Sequence, residues 1–343
     1  MNLCWCASRD LHAGISTFTD CLAYSIAVMP VKADGVFEGG GVRGIALVGA
    51  AEVAEEYGYR WVNLAGTSAG AIIAALLAAE YRASRLVRIM RSLDLTKLAQ
   101  RRGFGRIPIV GPAWSLYKHN GLASTAALRA WLEEMLLAKG VRNFGDLKIP
   151  RSYVNQKFQT YRLAVIASDI TRRKMVVLPY DLPEYGVSID HFPVADAVCM
   201  SAAAPIIYQP ISMGGSLLVD GGLLSNFPVW LFDSPNVPTR PTFGFRLGER
   251  ITDQTQQSSK RPCFPKYMAE IGLTILQGHD AYWEHETRAR SMIIPTGDVN
   301  SFNFHISDQE KEWLYQSGRK TASEYFQKFD FVHYQQRRKI HAV

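Results

Sequence analysis

Cysteine is scarce in this chain, five in 343 residues: Cys4, Cys6, Cys21, Cys199 and Cys263. They are too few and too scattered for a disulfide framework, and none forms a CxxC or CxxH pair, so neither a stapled scaffold nor a zinc site is encoded. A reducing compartment fits best. Long apolar runs are missing too. The longest uncharged stretch, Trp61 to Ala79, approaches the roughly 20 residues of a membrane span, but Asn63 and a Gly-Thr-Ser-Ala-Gly segment break it near its start. It reads as a buried strand followed by a buried helix. There is no internal repeat, and 48% hydrophobic with 20% charged residues excludes long disorder and low-complexity polymers. Charge of one sign is not concentrated: 38 Lys and Arg against 31 Asp and Glu leave +7. That excess favours anionic surfaces such as lipid headgroups. Nucleic acid is not expected as a partner, because no recognition motif accompanies the basic residues.

What is present begins as strand, glycine loop, helix. A short apolar strand over Gly35 to Glu38 runs into Gly39, Gly40, Gly41, Val42, Arg43 and Gly44, and an Ala-rich helical pattern continues to Glu56. Trp61 to Ala65 reads as a second buried strand, Gly66 to Gly70 as a tight turn, and Ala71 to Tyr81 as a helix. Two such strands need a helical crossover, so the fold class is α/β with a parallel sheet. Gly103 to Ala123 is a Gly- and Pro-containing connection. Helix is predicted over Thr125 to Lys139, Pro193 to Ala204, Lys266 to Arg290, and from the Ser307/Glu310 capping box to Phe329. Strands are predicted over Tyr161 to Ser168, Met175 to Leu178, Leu217 to Asp220 and Thr242 to Leu247, the last of the sheet. Arg337, Arg338 and Lys339 read as a solvated basic end.

Gly66-Thr67-Ser68-Ala69-Gly70 satisfies GxSxG, in which small residues flank a serine forced into a cramped strand-to-helix turn. That turn sets Ser68 at the positive end of a helix, where a developing oxyanion is favoured; the bland alternative is a helix-capping serine. Gly39 to Gly44 also fits GxGxxG, but a dinucleotide loop needs a carboxylate about 20 positions on, and Trp61 to Ala65 offers none. Three consecutive glycines instead leave backbone N–H groups free to face a carbonyl oxygen that becomes negative. Neighbouring parallel strands would bring both loops to one sheet edge. A serine needs a base. Asp220 ends an apolar strand and is followed by Gly221 and Gly222; the alternative is an Asp-Gly turn. Asp169 and Asp196 are weaker choices, and His279, His285 and His305 follow Ser68 in the order an ordinary Ser-His-Asp hydrolase would use.

Glu-Gly-Gly-Gly-Val-Arg-Gly at 38 to 44, Gly-Thr-Ser-Ala-Gly at 66 to 70 and Asp-Gly-Gly at 220 to 222 together resemble the three signatures of the patatin-like phospholipases. Ser201-Ala202-Ala203-Ala204-Pro205 is similar to the family's small-residue segment. The resemblance implies a three-layer α/β/α sandwich with a mostly parallel central sheet, and a lipid acyl hydrolase working through a Ser68–Asp220 dyad and an acyl-enzyme. It also implies an oxyanion hole from Gly39, Gly40 and Gly41, with no metal or organic cofactor. Arg43, Gly44, Gly66, Gly70, Gly221 and Gly222 are motif residues; Arg43 is read as structural. The expected partners are an acyl lipid and, transiently, a membrane surface, in a cytoplasmic, peripheral or exported protein. The competing functions are a catalytically silent binding or regulatory protein and a Ser-His-Asp esterase.

The chain divides into a leader over 1–32, a catalytic core over 33–233 and a C-terminal extension over 234–343. The leader resembles a secretory signal only poorly, with Asp20 inside its apolar part and no clean cleavage site, so a flexible or non-native leader is expected. Met29 stands just before the first strand. Deleting residues 1–28 is therefore expected to leave the circular dichroism spectrum and thermal midpoint unchanged; loss of folding would show that the segment is integral.

Overall fold

The computed structural model describes residues 30–98, 121–150, 157–234, 236–248 and 290–340. β1 (Val31–Phe37) passes from exposed at its first two residues to buried for the rest. The glycine turn follows, then α1 (Gly44–Glu56), whose small side chains let it bury ten of its residues. β2 (Tyr59–Thr67) and α2 (Ala69–Ala78) repeat the pattern, with the strand two residues longer at each end than the sequence pattern indicated. α3 (Ala83–Ser92) is more amphipathic, burying Leu86, Val87 and Met90, and a single turn, α4 (Leu95–Leu98), succeeds it.

Residues 103–120 of the predicted connection lie outside the described residues. Its end is not irregular, as β3 (Gly121–Ala123) pairs with a later strand. α5 (Ala126–Leu137) buries Leu128, Leu132 and Leu136, an i, i+4 stripe. Then come β4 (Leu163–Asp169), β5 (Lys174–Leu178) and α6 (Val194–Ser201). Three short strands follow, β6 (Ile206–Tyr208), the partner of β3, β7 (Ile211–Met213) and β8 (Ser216–Asp220). The chain returns to the sheet in β9 (Thr242–Gly248) and β10 (Ser291–Pro295), and finishes in α7 (Asp308–Phe326) and α8 (Phe331–Ile340).

The sheet runs β10-β9-β1-β2-β4, all parallel, with β5 and β8 antiparallel to β4, and β7 antiparallel to β8. The architecture is α/β with a mostly parallel central sheet, as expected. Alternation sorts the strands by face. Phe37, Leu64, Leu163 and Val165 point into the cluster formed with the helices, while Val36, Ala65, Ala164 and Ile166 meet Phe227, Val229, Leu231 and Phe232 on the opposite face. The helix predicted over Lys266 to Arg290 falls almost wholly outside the described residues.

Two expectations are corrected. Thr242 to Leu247 is not the last strand: β10 lies outside it, a strand that five residues ending in proline did not announce. The basic end is not solvated throughout, because Arg338, within α8, pairs with Asp233 at 2.7 Å, while Arg337 is exposed as expected. The residues after 233 pack closely on the rest of the chain. β9 lies against β1, and Phe245 stacks on Phe37 at 4.7 Å. α7 crosses α1 so closely that a Cβ on Gly318 would fall 1.9 Å from the Ala46 carbonyl oxygen.

A buried ion pair ties three strands together at the edge away from the glycine turn. Arg240 Nε donates to both Asp34 oxygens at 2.8 Å, and its Nη2 donates to Asn63 Oδ1 at 2.8 Å. Asp34 also accepts the Asn63 N–H at 3.0 Å. Burial pushes the Asp34 carboxyl up to about 6, with Arg240 opposing the rise. Removing one partner leaves a buried charge uncompensated. Arg240→Ala is expected to cost about 3–5 kcal/mol in urea denaturation, and adding Asp34→Asn should recover much of the loss.

Candidate active site

Between β2 and α2 the chain reverses within one residue. Ser68 there has φ 53° and ψ −121°, a conformation that costs a non-glycine residue on the order of 1–3 kcal/mol. Its neighbours permit nothing larger than hydrogen. A Cβ on Gly66 would stand 2.4 Å from the Gly70 carbonyl oxygen, and one on Gly70 would stand 2.2 Å from that of Phe37. Ser201, fully buried at the end of α6, holds the turn by accepting the Ser68 N–H on its Oγ at 3.0 Å. The Ser68 side chain is left half-exposed at the amino end of α2, where the helix dipole is positive.

The glycine turn lies directly alongside, since a Cβ on Gly39 would fall 3.2 Å from Ser68 Cβ. Its three amides are not equivalent. Gly39 donates its N–H to the Asn226 carbonyl at 3.1 Å, and Asn226 Nδ2 returns a bond to the Gly39 carbonyl at 3.2 Å. The N–H groups of Gly40 and Gly41 have no hydrogen-bond partner among the described residues. Of the three amides expected to act together, Asn226 thus occupies the first, and the other two are open. Gly41 needs its positive φ of 56°, and the turn is fixed from outside by the Ser301 carbonyl, which accepts the Val42 N–H at 3.0 Å. From inside, Glu38 accepts the Leu247 N–H and a bond from Asn226 Nδ2. Arg43 closes the turn with its N–H on the Gly40 carbonyl at 3.2 Å, and Gly44 opens α1 where a Cβ would press on Ala69 at 3.3 Å.

Register explains how Asp220 arrives. β4 pairs with β2 up to Thr67 opposite Ile166, and with β8 down to Asp220 opposite Ala167. The other side of β4 is taken by β5 over Val165 to Asp169. β2 and β8 therefore occupy the same side of β4, run toward each other, and end at consecutive positions on it. Their terminal residues meet head to head. Gly221 is required just there, for a Cβ would stand 2.2 Å from the Ile166 carbonyl oxygen. Asp220 is 4% exposed. Burial pushes its carboxyl up to about 6, opposed by the Gly222 N–H, which donates to Oδ1 at 2.8 Å, and by a hydrogen bond from the Ser68 hydroxyl.

The other candidates are engaged elsewhere. Asp169 accepts the Thr171 and Arg172 N–H groups and the Tyr185 hydroxyl, and Asp196 pairs with Arg129. His305 is exposed, with its backbone N–H on Asn303; His279 and His285 lie outside the described residues. Among the described residues no group of three or more ligating side chains could hold a metal ion, and no helix is long and apolar enough to cross a membrane. Sequence reasoning missed Asn226, which holds the turn through both its carbonyl and its side-chain amide, and the carbonyl of Ser301; neither carries a motif.

The site thus joins a strained serine at a strand-to-helix turn, a buried carboxyl at the end of the facing strand and two open amides. The sequence profile described as Patatin-like phospholipase matches residues 35–233. The chain belongs to the patatin-like phospholipase family. It is 38% identical over 304 residues to the protein YqhO of Bacillus subtilis (strain 168), covering 87% of this chain and 99% of YqhO. It is 24% identical over 296 residues to the protein R571 of Acanthamoeba polyphaga mimivirus, covering 83% of this chain and 91% of R571. The crystal structure of VipD from Legionella pneumophila shares the fold, with a TM-score of 0.50 at 15% identity over 87% of this chain and 67% of that one.

The raised Asp220 pKa has a cost in stability. A carboxylate whose folded value lies above its unfolded one stabilises the fold fully only below about pH 4, and that contribution is lost as pH rises through about 6. About two pKa units correspond to about 3 kcal/mol. Asp220→Asn is therefore expected to be more stable than the parent by up to about 3 kcal/mol at pH 8 and nearly equal to it at pH 4, measured by urea denaturation at both pH values.

Proposed function

We propose that this chain is a serine acyl hydrolase that cleaves ester bonds of phospholipids or related acyl lipids through Ser68 and Asp220. The observation that carries this is the head-to-head meeting of β2 and β8 against β4, which brings a buried carboxyl, pushed up to about 6, to the turn that holds Ser68. A free aspartate, at about 3.9, is too weak a base to draw a proton from a hydroxyl. A buried one is stronger, yet still ionised at neutral pH, which is what a general base requires.

In acylation Asp220 takes the proton as Ser68 Oγ attacks the ester carbonyl carbon. The carbonyl oxygen becomes negative and accepts from the Gly40 and Gly41 N–H groups, assisted by the positive end of α2. Collapse breaks the bond to the alcohol, whose oxygen takes the proton back from Asp220. Water, deprotonated by the same carboxylate, then attacks the acyl-serine and releases the fatty acid with Ser68 regenerated. Fixed amides need no reorganisation when charge appears, and this favours the transition state over the neutral ester. The net positive charge of +7 assists approach to an anionic lipid surface.

The test uses a chromogenic acyl ester and mixed phospholipid vesicles. Ser68→Ala and Asp220→Asn should each lose about 10⁴-fold or more in kcat/KM, and a fluorophosphonate should label the parent but not Ser68→Ala. Because the ionised base is the active form, kcat/KM should rise with pH through an inflection near 6 and level off above it. Near-parental turnover by Ser68→Ala, or a profile flat from pH 5 to 8, would overturn the dyad.

A further inference from the structure

A crevice opens from the candidate site between α1, α2, α3, α4 and α5. Its near end is Gly41 and Ala69, the residues that flank the open amides and follow Ser68; further in it is lined by Ile72, Met90, Leu95 and Trp131. Among the described residues no charged or hydroxyl-bearing side chain lines it. Water in such a place finds few partners, so hydrocarbon is its favoured occupant.

We infer that this crevice holds the acyl chain of the ester attacked by Ser68, and that Ile72, Met90, Leu95 and Trp131 set which chains are accepted. The inference rests on the hydrolase reading and specifies its substrate. The attacked carbonyl has three substituents to place. Its oxygen faces the Gly40 and Gly41 amides. The leaving oxygen must recover a proton from Asp220, which reaches Ser68 from the β4 side. The glycine turn follows β1, on the other side of β2. The alcohol half is thus directed toward Asp220, and the acyl half toward Gly41 and Ala69, where the crevice begins.

Its size limits what it takes. The crevice has a volume of about 60 Å³, and a single water needs about 10–15 Å³ on that measure. It therefore holds roughly four to six methylene-sized groups, the part of the chain nearest the carbonyl. Each methylene that moves from water into it should raise kcat/KM about fourfold, until the crevice is full.

The test measures kcat/KM for p-nitrophenyl acetate, butyrate, hexanoate and dodecanoate. The parent should climb steeply from acetate to hexanoate and flatten beyond. Ile72→Trp and Leu95→Trp, which fill the crevice from two different helices, should each reduce the hexanoate-to-acetate ratio tenfold or more. A parent ratio near one, or an unchanged ratio in both variants while turnover remains dependent on Ser68, would overturn the assignment and leave the hydrolase reading standing. A second measurement needs no turnover. In the Ser68→Ala protein, 6-bromohexanoate should quench tryptophan emission by heavy-atom contact, and Trp131→Phe should remove that quenching. Quenching that persists without Trp131 would place the chain elsewhere and refute the inference. Quenching through Trp131 in a protein that hydrolyses no ester would support the crevice and overturn the hydrolase reading.

Discussion

Everything at the site depends on two strand ends meeting against β4. β2 stops at Thr67 opposite Ile166, and β8 stops at Asp220 opposite the next residue, Ala167. A shift of one residue in either ladder would turn the terminal side chain to the other face of the sheet. The packing makes such slips costly: Leu64, Leu163 and Val165 fill one face while Ala65, Ala164 and Ile166 fill the other. The precision of a polar contact thus derives from apolar alternation several residues away.

The same architecture keeps two unfavourable features in place. Ser68 holds a backbone conformation that side chains avoid, and Asp220 holds a charge where water is excluded. Each is tolerated because its surroundings leave no alternative. Glycine-only contacts at Gly66 and Gly70 lock the turn, Ser201 takes the one amide the turn exposes, and the Gly222 N–H and Ser68 hydroxyl partly replace hydration at the carboxylate. Asp34 is the contrasting case. It is raised to a similar value by burial, but a guanidinium clamps both of its oxygens, so it works as a structural tie at the far edge of the sheet.

The order strand, glycine turn, helix, strand, GxSxG, helix was legible because each feature is local: a run of apolar residues, a glycine that alone fits, a serine between small neighbours. Asp220 was legible only as a residue type at a strand end. The antiparallel direction of β8, which brings it to Ser68, depends on pairing with β4 and has no local signature. Asn226 and Ser301 were invisible for a related reason. Ser301 acts through a main-chain carbonyl, which any residue has, and Asn226 through its carbonyl and a side-chain amide that only the fold brings to the glycine turn. β10 was missed because five residues ending in proline are weak evidence for a strand until β9 is beside them. Arg338 read as solvated until the fold brought Asp233, over a hundred positions away, within reach.

The carbonyl of Ser301 rests on the glycine turn that follows the first strand, and the Leu247 amide is held by Glu38 at the start of that turn. Both contacts come from chain lying after residue 233, where the family match ends. The family model is thus shorter than the stretch that holds the glycine turn in place, whereas the likeness to YqhO extends over 304 residues and continues past residue 233. A fragment trimmed to the family match would keep Ser68 and Asp220, yet expose a raw β1 edge in mid-sheet and leave the glycine turn without two of its supports.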